Sequence, residues 1–352
     1  MSRLRRLVPR GIKRVIRTQQ QRAQVRAIHR AHARAVTPPP APLLPTALVI
    51  PVHNDAVRLA RLLDVARDIG FAQIIVVDDG SDSPVVAPDV TLFRHDTALG
   101  PGPARSAGLA LVTAPYVLFI DSDDLPTANL VPLLADLAER AGARAGAAPF
   151  DFCLFKHVDS RVANFGYWGQ PDGDEAHWQR AGLSIGALRD APPAAWPDLA
   201  QTTNYPWNKV YRTAFLTDHA IRCADVTVHE DIAMHWLSFL HATRVLTSDR
   251  ACVWHMIDPD AARQSNRSGT ERLALFDALA PVVVAGLPPA LRVAFVRFVL
   301  ALTDWARTVI APAHHAAFDA ALTQFLTDTV SDWHADIIAA DPALMARIRD
   351  RP

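Results

Sequence analysis

YVLFIDSDD (residues 116–124) is a short apolar run that ends in a cluster of carboxylates. A continuous apolar run of this length is typical of a strand that is buried on both faces of a parallel sheet. Two similar runs precede it, at 47–52 and 74–77, and the segment between those two carries apolar residues at helical spacing up to Gly70. The order strand, helix, strand predicts βαβ units and therefore an open α/β sheet flanked by helices.

Polar side chains follow the predicted strands, namely His53, Asp78, Asp79, Asp121 and Asp123. Ligands of open α/β sheets bind outside the carboxyl ends of the strands, so we predict the functional site at this edge. In an extended chain, Asp121 and Asp123 would leave the backbone on the same face. Two carboxylates on one face suit Mg2+ or Mn2+, whereas a simple turn that caps the next helix is the alternative for residues 121–124.

Residues near the second and third predicted strands are candidates for binding a nucleotide. Asp78 and Asp79 can accept hydrogen bonds from a nucleobase or a ribose, or else they form a turn with the Gly and Ser that follow. Arg105 follows Gly100-Pro-Gly-Pro103 at the predicted start of a helix. There its fork of donors and the helix N-terminus can bind a diphosphate, and a surface ion pair is the alternative.

The composition of the 352 residues is that of a folded protein, since 50% are hydrophobic and 20% are charged. It excludes a wholly disordered or fibrous chain and leaves room for one large domain with an appendage, or for two smaller domains. Cys153, Cys223 and Cys252 have no C-x-x-C spacing, so they indicate neither a disulfide framework nor a zinc site. No apolar run approaches the roughly 20 residues that cross a bilayer, and no secretory signal follows the basic N-terminus. We therefore expect a cytoplasmic protein with reduced thiols.

The net charge of zero conceals an uneven distribution along the chain. Residues 1–36 contain eleven Arg and Lys and no Asp or Glu, which leaves 25 basic and 36 acidic residues, a net charge of −11, for the rest. Apolar residues recur at helical spacing within this segment. It is predicted to be a basic amphipathic N-terminal arm that contacts an anionic bilayer at the inner face of the cell membrane, or else a solvated tail. Because no aromatic residues alternate with the basic ones, we expect no nucleic-acid partner.

Shifts in composition predict the remaining domain boundaries. Residues 37–46 are rich in proline and are expected to form an extended linker. The sheet domain is predicted over 47–256, and within it residues 160–205 are expected to be a long loop with one short helix. Residues 257–352 are predicted to be a loop followed by a C-terminal helical appendage, because apolar residues return there at helical spacing between prolines.

Five segments of the sheet domain, taken in order, resemble the successive motifs of family 2 glycosyltransferases with the GT-A fold. They are IPVHN (50–54), VVDDGSDS (76–83), GPGPARSAGLALVTAPYVLFIDSDD (100–124), WNKVYRTAFL (207–216) and HEDIAMHW (229–236). The resemblance covers roughly residues 47–256. It implies a GT-A-type open, mostly parallel sheet and the inverting transfer of a sugar to an acceptor hydroxyl. It also implies a nucleotide-sugar donor, expected to be a UDP-sugar, and a Mn2+ or Mg2+ cofactor.

Residue by residue, the resemblance implies a donor site, a metal site, a base and a pocket. The implied nucleotide-sugar contacts are Pro51, His53, Asn54, Asp78, Asp79, Arg105, Asp121 and Ser122. The implied metal ligands are Asp121 and Asp123, with His255 as an additional candidate. Asp231 is the implied general base beside Glu230, although acidic residues in the first turn of a helix are also favoured by the helix dipole. The implied sugar or acceptor pocket consists of Trp207, Asn208, Lys209 and Trp254.

This chain departs from the family pattern at two places. His53 stands where the family often has Tyr, which leaves the preferred nucleobase open. At the second place the family often has an aromatic pair followed by a polar, basic loop, whereas here Val253-Trp254-His255 precedes the loop at 263–268, which is expected to close over the site. From the family resemblance and the basic arm we expect a saccharide or lipid-linked acceptor in cell-surface polysaccharide or glycolipid synthesis.

Three other functions share some of these sequence features. A nicotinamide dehydrogenase is disfavoured because the Gly100-Pro-Gly segment follows Asp78, whereas the dinucleotide fingerprint places its glycines before the acidic residue. A sugar-nucleotide pyrophosphorylase would need a Gly-rich loop after the first strand, where this chain has HNDAVRLAR. A catalytically inactive scaffold recruited by its basic arm is the third alternative, and the intact set Asp121, Asp123 and Asp231 argues against it.

Overall fold

The computed structural model describes residues 42–142, 149–163, 169–186, 188–257 and 267–351. The predicted arm at 1–36 lies outside the described residues, as do half of the predicted linker at 37–46 and most of the basic loop at 263–268. Membrane contact through the arm and closure of the loop therefore stay predictions.

The described strands form one nine-stranded sheet in the order β3-β2-β1-β4-β8-β6-β9-β5, with β7 paired to β9. The half β3-β2-β1-β4 is parallel, as the buried apolar runs predict. Strand β8 is antiparallel to both β4 and β6, and β9 runs parallel to β6. The strands are β1 (Thr46–Val52), β2 (Gln73–Asp79), β3 (Thr91–His95), β4 (Tyr116–Phe119), β5 (Leu125–Pro126), β6 (Phe152–Asp159), β7 (Arg189–Ala191), β8 (Lys209–Arg212) and β9 (Val245–His255).

Helices flank the sheet and confirm the predicted α/β class. They are α1 (Ala56–Ile69), α2 (Pro101–Ala110), α3 (Leu130–Gly142), α4 (Ser160–Ala163), α5 (Asp172–Arg180), α6 (Trp196–Leu199), α7 (Thr213–Asp218), α8 (Asp231–His241), α9 (Ala274–Val284), α10 (Pro289–Val309), α11 (His315–Val330), α12 (His334–Ala340) and α13 (Pro342–Arg349). Within the described ranges, no helix combines the length and the hydrophobicity that a bilayer crossing demands.

The prediction of a long loop with one short helix at 160–205 was wrong. The described part of this region contains α4, α5, β7 and α6. Helix α5 is mostly polar and is anchored by the buried Trp178, over whose ring Lys156 places its ammonium group at 5.4 Å. One buried tryptophan in a polar helix does not produce apolar residues at regular spacing, so the helix could not be predicted from hydrophobic periodicity.

The sheet register brings the ends of distant strands to one edge. Val52 lies opposite Asp78, at the carboxyl ends of β1 and β2. Because β8 is antiparallel to β4, with Val210 opposite Leu118, it is the beginning of β8 that reaches the same edge. The end of β9 arrives there as well, with His255 opposite Asp159.

The predicted C-terminal helices are present and pack directly on α8. The indole of Trp236 on α8 lies 5.0 Å from the ring of Phe295 and 5.2 Å from that of Phe298, both on α10. These side chains belong to one continuous cluster of buried residues that also includes Phe119 and Phe152 of the sheet. The position of α8 is therefore set from both the sheet and the C-terminal helices.

Candidate active site

The end of β1 presents His53 and Asn54 to solvent, while Pro51 is buried within the strand. The Nδ1 of His53 donates to the carbonyl oxygen of Asp79 at 2.7 Å, and its Nε2 accepts from Asn54 at 3.2 Å. Asn54 has a φ of 53°, a left-handed conformation that Asn tolerates better than most residues. Its side chain exchanges hydrogen bonds with Asp82, from Nδ2 to the carboxylate and from the Asp82 amide to Oδ1. The His53 ring is thus held at the opening of the site.

Asp78 is buried and its carboxylate organises the turn after β2. It accepts hydrogen bonds from the amides of Ser81 and Val85, both at 3.0 Å, and from the guanidinium of Arg94. Burial alone would raise the pKa of Asp78, but these hydrogen bonds hold it below its ordinary value. The structure favours the turn-forming alternative for this residue, and a direct nucleoside contact stays a prediction.

Asp79 anchors the loop that leads into α2. Its Oδ1 accepts from the Leu99 amide at 2.9 Å and from His95 Nδ1 at 2.7 Å, and its Oδ2 accepts from the Gly100 amide at 2.7 Å. The side chain is only 4% exposed. Asp79 therefore positions the N-terminus of α2, the helix that carries Arg105.

Residues 121–124 form a turn, closed by a 3.0 Å hydrogen bond from the Asp124 amide to the Asp121 carbonyl. The expectation of an extended chain over Asp121 and Asp123 was therefore wrong. Ser122 is mostly buried and donates to the Asp55 carboxylate at 3.0 Å, which ties the turn to the start of α1. Asp121 and Asp123 remain 28% and 26% exposed, so both can still reach a ligand at the edge of the sheet.

Asp124 is fully buried and binds the end of β9. Its carboxylate accepts from His255 Nδ1 at 3.0 Å and from the Met256 amide at 2.8 Å. Burial opposes protonation of His255, but the Asp124 carboxylate outweighs that effect and raises the pKa of the imidazole. With Nδ1 occupied in this way, a role of His255 as a metal ligand or diphosphate contact through Nε2 stays a prediction.

Arg105 joins the two predicted catalytic motifs. It is 5% exposed, and its Nη2 donates to Asp121 at 2.6 Å while its Nη1 donates to Glu230 at 2.9 Å. Burial disfavours the charged form, yet the two carboxylates raise the pKa of Arg105 well above its ordinary value. The surface ion pair considered from the sequence is thus a buried bridge between motifs that lie more than 100 residues apart, and a diphosphate contact stays a prediction.

Asp231 is the first residue of α8 and lies beside this bridge. The side-chain amide of Asn204 donates to its Oδ1. Burial raises the pKa of the Asp231 carboxyl to about 8, and repulsion from Glu230 acts in the same direction. A carboxyl group whose pKa lies near neutrality is suited to general base catalysis.

The predicted pocket residues form a buried wall rather than an open surface. Trp207, Asn208, Lys209 and Trp254 are each at most 3% exposed. The Nζ of Lys209 donates to the Tyr205 carbonyl at 2.7 Å and to Asn208 Oδ1 at 2.6 Å. Burial lowers the pKa of Lys209 to about 7, although Asp231 and Asp174 favour its charged form. These four side chains are buried in the described arrangement, and their direct contact with a sugar stays a prediction.

Tyr205 and Asn204 were missed by sequence reasoning. The Tyr205 ring stacks on Trp207 at 4.2 Å and lies 5.0 Å from the His255 ring, and Tyr205 is less deeply buried than Trp207. Both residues belong to a segment without periodicity, just before the WNK motif. An aromatic and an amide next to a motif are a weak signal, because only the fold shows that they face Asp231 and His255.

The Asp121–Asp123 turn fits a magnesium or manganese ion. The described residues contain no group of three or more His, Cys, Asp or Glu that could enclose a metal. Mg2+ does not need such an enclosure, since it commonly takes one or two carboxylates and completes its shell with water and substrate phosphates. Asp121 and Asp123 are partly exposed carboxylates of this kind.

The raised pKa of Asp231 predicts a pH dependence of stability. The folded state keeps the Asp231 proton between about pH 4 and pH 8, where an unfolded carboxyl has lost it, so this residue's contribution to stability falls as the pH rises through that range. In Asp231→Asn the folded state no longer loses stability through ionisation of this buried carboxyl at higher pH. We expect the melting temperature of this variant, relative to wild type, to increase from about pH 5 to about pH 9 in thermal denaturation.

A matched control for this measurement is Asp225→Asn. Asp225 lies on the same loop, is 61% exposed and pairs only with the equally exposed Arg222 among the ion pairs of the described residues. The melting temperature of Asp225→Asn relative to wild type should stay nearly constant over the same pH range. A constant difference for Asp231→Asn as well would contradict the raised pKa.

Part of the chain is similar to known glycosyltransferases. Residues 47–161 match the family model described as glycosyl transferase family 2. A pre-mycofactocin glycosyltransferase of Mycobacterium tuberculosis is 41% identical over 86 residues, which are 22% of this chain and 18% of the relative. The succinoglycan biosynthesis protein ExoO of Rhizobium meliloti is 28% identical over 112 residues, which are 29% of this chain and 32% of the relative. The chain thus aligns with less than a third of the length of these curated relatives.

The fold is shared with a solved structure over most of the chain. The crystal structure of S. aureus TarS residues 1–349 in complex with UDP-GlcNAc matches with a TM-score of 0.66, covering 86% of this chain and 87% of that chain. The two are 18% identical, so the likeness shows the fold alone. It confirms the predicted GT-A-type architecture, including the C-terminal helices.

Proposed function

Since the chain carries a family 2 glycosyltransferase segment on a GT-A-type fold, we propose that it is a metal-dependent inverting glycosyltransferase. In this proposal a sugar moves from a nucleotide-diphosphate donor to an acceptor hydroxyl. The observation that carries the proposal is the Arg105 bridge, because it places the Asp121 motif beside Glu230 and hence beside Asp231. A donor-side motif and a base-side motif thus meet at the edge of the sheet where ligands of this fold class bind.

The donor binds across the carboxyl ends of β1, β2 and β4. His53, fixed by Asp79 and Asn54, offers its ring face to the nucleobase at the opening of the site. Asp121 and Asp123 would hold the divalent cation, which when bound supplies positive charge for the departing diphosphate. The TarS fragment was solved with UDP-GlcNAc and with UDP, which supports a UDP-sugar as the donor to test first.

The acceptor hydroxyl approaches Asp231, and the ionised form of this carboxyl, whose population grows as the pH rises toward 8, takes its proton. The Asn204 amide holds one carboxylate oxygen, so the side chain is oriented before the acceptor arrives. Glu230 is held by Arg105 and therefore positions the first turn of α8 rather than competing for the proton. In an inverting displacement the acceptor attacks the face of the sugar opposite the departing diphosphate, so in this proposal Asp231, in the first turn of α8, serves that face.

Two observations support the proposed class of acceptor: the name of one relative and the basic sequence of the N-terminal arm. ExoO is named for succinoglycan biosynthesis, which supports a saccharide acceptor in cell-surface polysaccharide or glycolipid synthesis. The eleven basic residues of the segment 1–36 support peripheral contact with an anionic membrane, where a lipid-linked acceptor would be found.

The test of this proposal is binding of nucleotide diphosphates in the presence of Mn2+. We expect UDP with Mn2+ to raise the melting temperature of the wild-type protein and to do so much less in Asp123→Ala, because stabilisation by a ligand follows its affinity. Asp136→Ala is the matched control. Like Asp123, Asp136 on α3 is a partly exposed carboxylate, and it pairs with an arginine. If no nucleotide diphosphate stabilises the wild type with Mn2+, or if Asp123→Ala responds like Asp136→Ala, the proposal is wrong.

A further inference from the structure

His229, immediately before the Glu230–Asp231 pair, has an unusual backbone conformation. Its φ is 68°, in the left-handed region that residues with a Cβ rarely adopt. Such a conformation costs free energy and persists only where the surroundings fix it. A residue with this conformation, two positions before the predicted base, therefore needs a specific restraint.

Arg272 provides contacts that restrain His229. Its Nη1 donates to His229 Nε2 at 3.0 Å, and its Nε donates to the carbonyl of Arg267 at 2.8 Å. Arg272 has no acceptor atom, so His229 must accept through Nε2 and be neutral. Burial and the nearby Arg272 charge lower the pKa of His229 to about 3, which keeps it neutral at any working pH.

Trp305 on α10 completes this contact. The Arg272 guanidinium lies 5.0 Å from the centroid of the Trp305 ring, a cation–π distance, and the His229 ring meets the same indole edge-on at 6.0 Å. Arg272 is 1% exposed, although it lies in the short 3-10 helix Thr270–Leu273 that precedes α9. We refer to His229, Arg272 and Trp305 as the C-terminal clamp.

Helix α2 contacts the same segment at other residues. A Cβ added to Gly102 would lie 2.6 Å from the carbonyl oxygen of Ala224 and 3.0 Å from the Cβ of Glu230, so α2 approaches this segment as closely as only glycine allows. Arg105 of α2 also binds Glu230. The segment 224–230 is therefore restrained by α2 as well as by the C-terminal clamp.

We propose that Arg272 is a positioning residue, which with Trp305 holds His229 in its left-handed conformation and thereby sets Asp231 for proton transfer. The inference rests on the proposed function and extends it, because it makes the C-terminal helices part of the catalytic machinery. A misplaced catalytic group can cost about 100-fold in rate even when the mutation lies away from the reacting atoms.

The test compares Arg272→Gln with Arg292→Gln. Arg292 is a matched control, since it also lies over a tryptophan, Trp333 at 5.7 Å, and pairs with Asp336, whereas its hydrogen bonds and ring contacts within the described residues do not involve the segment 224–230. We expect kcat to fall about 100-fold in Arg272→Gln, with the affinity for UDP and Mn2+ unchanged, and to stay near wild type in Arg292→Gln. A loss of kcat that is no larger in Arg272→Gln than in Arg292→Gln overturns the proposal.

Two variants of His229 keep the proposal testable if Arg272→Gln does not fold. Asn adopts the left-handed region readily and offers an amide oxygen to Arg272, whereas Ala offers neither. We expect His229→Asn to retain most of the wild-type kcat and His229→Ala to lose it. Equal kcat in the two variants would contradict the clamp.

Amide hydrogen exchange separates failure of this inference from failure of the proposed function. Exchange in residues 224–231 should be faster in Arg272→Gln than in Arg292→Gln or wild type, since the restraint on His229 is gone. If the wild type transfers no sugar but this exchange difference is seen, the proposed function fails and the restraint stands. If exchange in this segment is unchanged, the clamp itself is wrong.

Discussion

Replacing Asp231 by Asn is expected to lower kcat by about 100- to 10,000-fold while nucleotide-diphosphate binding is retained. The asparagine has nearly the same shape and can still contact Asn204, but it cannot take a proton from the acceptor hydroxyl. The proposed donor contacts belong to the ends of β1, β2 and β4 rather than to α8, so the substitution leaves those side chains unchanged. Steady-state kinetics and a separate titration with UDP and Mn2+ measure the two effects.

Asp225→Asn controls for a general effect of neutralising a carboxylate on this loop, because Asp225 is exposed and pairs with Arg222. The kcat of Asp225→Asn should match that of the wild type. If Asp231→Asn loses donor affinity and kcat in equal proportion, then Asp231 belongs to the donor site and the base has been misassigned. If kcat is unchanged, the proton is taken by another group.

The strands that build the site could be predicted from the sequence. Strands buried on both faces require continuous apolar runs, and β1 and β4 show them at Thr46–Val52 and Tyr116–Phe119. The edge of the sheet that carries His53 and Asp121 could be predicted as well, because the carboxyl ends of parallel strands lie on the same side of a sheet. The order of the motifs then predicted the GT-A-type fold that the comparison with TarS supports.

The partners of the charged residues could not be predicted in the same way. Arg105 and Glu230 are 125 positions apart, so their contact depends on how α2 packs against the segment before α8. Nor does spacing distinguish an exposed aspartate from one like Asp124, which is buried and bound to His255. The residue types at a site can be inferred locally, whereas their exposure and partners are properties of the assembled core.

The wall beneath the site shows a second limit of sequence reasoning. Trp207 and Lys209 lie in a motif that the resemblance assigns to the pocket, yet both are buried. A tryptophan in a short polar segment gives no periodicity from which burial could be read. Lys209 is kept inside by the Tyr205 carbonyl and the Asn208 amide oxygen, contacts that depend on the 3-10 turn Pro206–Asn208.

Arg105→Gln is expected to have the largest effect on stability among these substitutions. The change leaves Asp121 and Glu230 without their shared counter-charge, and breaking a buried ion pair from one side costs about 3 to 5 kcal/mol. We expect a loss near 3 kcal/mol, the lower end, because Asp121 still reaches solvent at 28% exposure. Chemical denaturation measures the free energy of unfolding.

The control for this loss is Arg140→Gln. Arg140 forms an ion pair with Asp190 in which both side chains are more than a third exposed, and such pairs contribute at most about 1 kcal/mol. Equal destabilisation by the two substitutions would contradict a buried bridge at Arg105.

A double substitution distinguishes the charge of Arg105 from its packing. In Arg105→Gln combined with Glu230→Gln, the unpaired carboxylate is gone, so part of the lost stability should return. Activity should not return with it, because the bridge that holds the Asp121 turn beside the first turn of α8 is still missing. Recovery of kcat together with stability would mean that Arg105 serves only to neutralise charge, and that the two motifs are held together by the surrounding packing alone.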